Sequence, residues 1–168
     1  MIRVVDYASN LPSDIVEKGW VMVPMHRFEA MWMSFSARPY RPSALQVSAG
    51  KVNAITGGLF DGLLTISPQD YLVLGGKDGG QPWLDGWRTS NGQVRQFIAA
   101  MLGQGRTVEF QVTGKETEGG IQLILVEAKQ GLFPLEPYEQ LTSREALLGG
   151  GGYHPAMEAE YALESLSY

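Results

Sequence analysis

Glycine interrupts this chain so often that its secondary structure has to come in short pieces. The 168 residues include 21 glycines and 9 prolines, the two residue types that most strongly punctuate local structure. Such a chain suits short strands joined by tight turns. Hydrophobic residues still make up 44% and charged residues only 18%, a balance that packs a core rather than staying disordered. A chain of this length buries roughly 70% of its unfolded surface. The expectation is a mainly β domain (β-rich α+β) over residues 1–148, a compact sandwich or barrel with one or two short helices.

Alternation of apolar and polar residues locates the strands. Leu45, Val47 and Ala49 alternate with Gln46 and Ser48, Gly50-Lys51 breaks the run, and Val52 to Ile55 resumes it, which reads as two strands around a tight turn. Met31, Met33 and Phe35 alternate with Trp32 and Ser34. Tyr71 to Leu74 is a short apolar strand ended by glycines, and Gly19 to Val23 is another candidate. Val108, Phe110 and Val112 alternate with Glu109 and Gln111. A polar, glycine-bearing stretch follows and then Ile121 to Val126, the pattern of a hairpin.

Helical spacing is rarer. Val94, Phe97, Ile98 and Met101 fall at i, i+3, i+4 and i+7, which predicts a helix with Asn91 at its start and Gly103 at its end. A strand from Gln93 to Ile98 is the competing reading. Ser143 to Leu148 suits one or two helical turns. Residues 149–152 are four consecutive glycines, read as a hinge. Residues 153–168 then read as an acidic C-terminal helical arm. Pro155 suits its first position, Ala159, Leu163 and Leu166 form one apolar stripe, and Glu158, Glu160 and Glu164 favour solvent. Tyr153, His154, Tyr161, Leu163 and Leu166 are its candidate contact residues.

Composition narrows the functional classes. With no cysteine, disulfides and thiolate sites are excluded. Met1 to Asp6 has no apolar signal core, and no run approaches the ~18 apolar residues of a membrane span. A cytoplasmic protein is expected, with release by a non-classical route compatible. The net charge of −5 argues against nonspecific nucleic-acid binding, which rests on neutralising phosphates. A small basic patch of Arg38, Arg41 and Lys51 is too little to reverse that.

Chemical motifs are sparse. His26 and His154 lack a convergent set of metal-ligand partners; Glu29, three after His26, is a lone pair. No GxSxG elbow is present. Asp61, Asp70, Asp78 and Asp85 each lie within two residues of a glycine or proline, where aspartate usually bonds its own turn. A carboxylate-dependent hydrolase would need two of them to converge. Gly75 to Gly80 lacks the GK[ST] ending of a phosphate loop and reads as an ordinary loop. No metal or cofactor is expected.

The richest cluster is aromatic and amide-bearing: Trp83, Asp85, Trp87, Asn91, Arg95 and Gln96, with Trp32 and Asn53 elsewhere. Such groups can anchor a protein interface, where Trp and Arg are enriched. They can stack on a sugar and bond its hydroxyls, or the tryptophans can simply roof the core.

Around this cluster, Gln69-Asp70-Tyr71-Leu72-Val73, Gln81-Pro82-Trp83-Leu84-Asp85-Gly86, Val94-Arg95-Gln96-Phe97, Thr113-Gly114-Lys115-Glu116 and Gly119-Gly120-Ile121-Gln122 occur in order. Together with Ala30-Met31-Trp32 and Val52 to Gly57, this resembles a block found in a family of uncharacterised bacterial and fungal proteins. The resemblance covers about residues 28 to 127. It implies no activity, so it assigns no residue a role.

The leading expectation is a non-enzymatic interaction module that assembles into a homo-oligomer through its arm and aromatic loop. The alternatives are a carbohydrate or small-ligand binding module using Trp83 and Trp87, and the carboxylate hydrolase.

Overall fold

The computed structural model describes residues 1–11, 13–37, 42–75 and 83–129. The expected helix at 143–148, the glycine hinge and the arm lie outside them, as do Asp78 and most of the Gly75 to Gly80 loop.

The fold is built on one long strand. Strand β5 (Ser43–Ala49) pairs antiparallel along its whole length with β11 (Ile121–Glu127), from Ser43↔Glu127 to Ala49↔Ile121. Its other edge is shared by β7 (Leu72–Leu74) and β6 (Val52–Asn53). Gly50 turns β5 into β6 with φ +57, and its N–H donates to the Gly120 carbonyl. Paired on both edges, β5 is buried on both faces. Leu45, Val47 and Ala49 join the main core with Leu84, Trp87 and Phe97. Ala44 packs with Tyr71 in a second cluster, and Gln46 and Ser48 alternate with the core residues on that opposite side.

A second sheet carries the residues of interest. In it β10 (Val94–Ile98) lies between β9 (Gly86–Arg88) and β3 (Ala30–Met31). Beside it, β4 (Met33–Ser34) pairs with β8 (Trp83–Leu84). At the N-terminus β1 (Ile2–Arg3) pairs with β2 (Val21–Met22), linked by a 3-10 segment Val4–Asn10 and the short helix α1 (Ser13–Glu17). The class is β-rich α+β, and the antiparallel sheets of the described residues close no barrel.

Two elements differ from the expectation in type. Residues 94–98 are strand β10, not a helix. Asn91 caps no helix: with Gly92 at φ +83 it forms the turn of a β9–β10 hairpin, closed by Thr89 N–H to the Gln93 carbonyl. Asn-Gly supplies the positive φ that tight hairpins demand, and this outweighs the helical spacing downstream.

Residues Val108–Thr113 are helix α2, not the first strand of a hairpin. Thr107 Oγ1 accepts the Phe110 N–H at the start, and Gly114 takes the left-handed conformation at the end, donating to the Phe110 carbonyl. The burial is inverted as well. Glu109 is 1% exposed, whereas Phe110 and Val112 are 41% and 42% exposed. Gly119 and Gly120 therefore lead from a helix into β11, whose partner is β5.

Glu109 anchors that connection. Its carboxylate accepts the Thr117 hydroxyl at 2.7 Å, the Glu118 N–H and the Gly119 N–H at 2.9 Å. Burial pushes its pKa up, but these hydrogen bonds favour the ionised form and hold it below the usual carboxylate value. The carboxylate occupies the space a side chain at Gly50 would fill: a Cβ there would lie 2.6 Å from both Glu109 Cβ and Oε2.

Candidate functional site

The aromatic and amide residues singled out by sequence fall into three places. The first is the outer face of the β4–β8 ribbon. Met33 and Leu84 are partners and turn inward to the main core, with Leu84 8% exposed. Ser34 and Trp83, the next pair, therefore face outward. Trp32, two residues before Ser34, shares that side by alternation. Trp32 is 67% exposed and Trp83 51% exposed. Diagonal neighbours across an antiparallel pair lie roughly 7–8 Å apart, within reach of aromatic rings. Asp85 follows β8 and holds the ribbon to β10 through its carbonyl, which accepts the Phe97 N–H at 2.8 Å.

The second place is a cleft of about 450 Å³ between the β9–β10 hairpin, the 53–58 turn and α2. Trp87, Asn91 and Arg95 all line it, joined by Gln111 of α2 and by Gly57. Trp87 and Arg95 are direct partners across the hairpin. Trp87 is only 5% exposed and belongs to the main core. Trp83 and Trp87, four residues apart, thus point to different surroundings and form no common platform. Two glycines allow the close packing: a Cβ at Gly57 would lie 2.1 Å from the Arg88 carbonyl oxygen, and one at Gly86 2.2 Å from that of Arg95. Gln96 is exposed on β10, opposite Gly86.

Asn53 stands apart as a structural residue, 2% exposed. Its Oδ1 accepts the Ile55 and Thr56 N–H groups, and its Nδ2 donates to the Asp70 carbonyl at 2.8 Å. It shapes the turn that walls the cleft.

The carboxylates are engaged in their own turns. Asp61 Oδ1 accepts the Leu63 N–H, and Asp70 accepts the Thr65 N–H and Gln46 Nε2. Glu29 accepts the His26 N–H at 2.7 Å, which makes that pair a turn. Among the described residues no group of three or more histidine, aspartate and glutamate side chains is placed to hold a metal ion. No helix among them is long and apolar enough to cross a membrane.

Sequence reasoning passed over two residues, Glu109 and Gln111. The capping pair Thr107 and Gly114 marks the helix that positions both. Gln111 carries no further signal of its own.

No family model, no curated protein and no solved structure matches this chain.

Proposed function

We propose that this protein is a non-enzymatic assembly module that contacts further copies of itself through the outer face of the β4–β8 ribbon. The observation that carries the reading is the pair Trp32 and Trp83, both more than half exposed on one side of a two-stranded ribbon. Tryptophan is among the residues most enriched where binding energy concentrates, and clustered exposed apolar surface marks contact sites. Arm residues Tyr153, His154, Tyr161, Leu163 and Leu166 join the reading on their sequence alone.

Light scattering after size exclusion tests it. The intact chain is expected to run as an oligomer, and the double variant Trp32→Ala, Trp83→Ala to run smaller with an unchanged circular dichroism spectrum. Truncation after Gly149 reports the arm's share separately. A monomeric intact chain at every concentration overturns the reading.

A further inference from the structure

We infer that the cleft between the β9–β10 hairpin and α2 is a binding site for a small carboxylate, with Arg95 as its anchor. This site is separate from the ribbon face and stands whether or not the protein assembles.

The argument starts from charge. Arg95 is exposed in a chain of net charge −5, yet among the described residues no ion pair includes it. Among the described residues its side chain makes one hydrogen bond, from Nη1 to Gln111 Oε1 at 3.2 Å. A guanidinium has five N–H donors in a planar fork, so most of its donor capacity is unspent. Gln111 is itself held, because its Nε2 donates to the Arg106 carbonyl at 3.1 Å. The Arg95 side chain is thereby steered from one flank rather than left free to sweep solvent.

The other polar groups of the cleft complement this. Asn91 Oδ1 is taken up inside the hairpin turn by Thr89 Oγ1 and the Gln93 N–H. The two side-chain amide oxygens that line the cleft, Asn91 Oδ1 and Gln111 Oε1, are thus engaged by the protein. Asn91 Nδ2 donates to nothing among the described residues. A wall with spare donors and occupied acceptors favours an acceptor-only ligand, and an ionised carboxylate is that. Arginine meets it through two parallel N–H···O bonds. Trp87 and the half-exposed Val112 give the cleft an apolar side, and its volume of about 450 Å³ falls within the ordinary range for small-ligand sites. The ligand class is therefore a carboxylate on a compact apolar or ring-shaped body.

Amide chemical shifts of the intact ¹⁵N-labelled chain, titrated with benzoate and in parallel with benzamide, test this. Benzamide keeps the ring and removes the charge. Saturable benzoate shifts at Asn91, Arg95 and Gln111 are expected, with benzamide much weaker. Arg95→Gln should weaken benzoate at least about tenfold, the size of one lost charge-assisted hydrogen bond. Arg95→Lys, which keeps the charge but loses the fork, should fall between. Both variants should melt within a few degrees of the parent, since the residue is exposed. Equal response to benzamide, benzoate binding that survives Arg95→Gln, or no saturable shift at these residues would each overturn the assignment.

Discussion

Along β5 the side chains of Leu45, Val47 and Ala49 share one cluster with Trp87 and Phe97, whereas Gln46 and Ser48 turn to the opposite side of the same strand. There Gln46 Nε2 donates to Asp70 Oδ2 at 2.8 Å and to the Leu63 carbonyl, and Ser48 Oγ donates to Gln122 Oε1 at 2.9 Å. Val47, Gln46 and Ser48 are all 0% exposed. One face excludes water by packing hydrocarbon; the other holds polar groups bonded to the 59–70 loop and to β11, with Gln46 Oε1 the one buried side-chain atom among the described residues that has no partner. The difference teaches where the molecule tolerates change. Packing loses stability in proportion to volume removed. A buried network loses it when one partner goes and the other is stranded.

The packed face should break hardest. Phe97→Ala is expected to cost about 3–5 kcal/mol, read as a lower urea midpoint at an unchanged slope. A loss under about 1 kcal/mol would mean the site collapses around the gap.

The bonded face should break less, and non-additively. Asp70→Ala strands one N–H of the buried Gln46 amide and the Thr65 N–H, and about 1–3 kcal/mol is expected. Adding Gln46→Met to it removes the stranded donor, so the double variant should cost less than the sum of the two singles. Strict additivity would mean that Gln46 and Asp70 do not act as a unit.

Glu109 gives the smallest effect and the one that depends on pH. Glu109→Gln should cost about 1–2 kcal/mol at neutral pH, because the ionised acceptor becomes a neutral amide. The folded-state pKa lies below the ordinary value of 4.5. The stabilisation is therefore fully present above that value and is lost as pH falls through the depressed one. Parent and variant should converge in stability on acidification. A gap that stays constant down through that range would deny the carboxylate this role.

The strands that carry the main sheet were legible because their neighbours enforce the pattern. β5 alternates apolar with polar residues, β7 is a short apolar run and β11 a longer, mainly apolar one; each has a glycine at one end and lies where the sequence places it. The two misread segments are those where local turn chemistry overrode periodicity. Asn91-Gly92 dictates a hairpin although Val94, Phe97 and Ile98 keep helical spacing. Thr107 and Gly114 cap a helix although Val108, Phe110 and Val112 alternate. A six-residue helix is too short for either period to dominate, so its ends decide it. Of the site residues, Trp87, Asn91 and Arg95 were legible together because the hairpin brings sequence neighbours side by side. Trp32 and Trp83 come to the same side only through the β4–β8 pairing, which no local pattern reveals.

The contact between Gly50 and Glu109 joins two positions far apart in the chain into a single inherited character. The glycine leaves the room and the carboxylate occupies it, so position 50 cannot gain a side chain while the acid is kept. In any lineage descended from this fold, a side chain gained at position 50 should arrive only with the loss of the acid at position 109. The acid also ties down the turn into β11, so such an exchange would have to be accompanied by a rebuilt 117–120 turn. A side chain at position 50 would then bring change to three separated segments at once. Their joint variation would mark true relatives of this fold even where overall sequence similarity has faded.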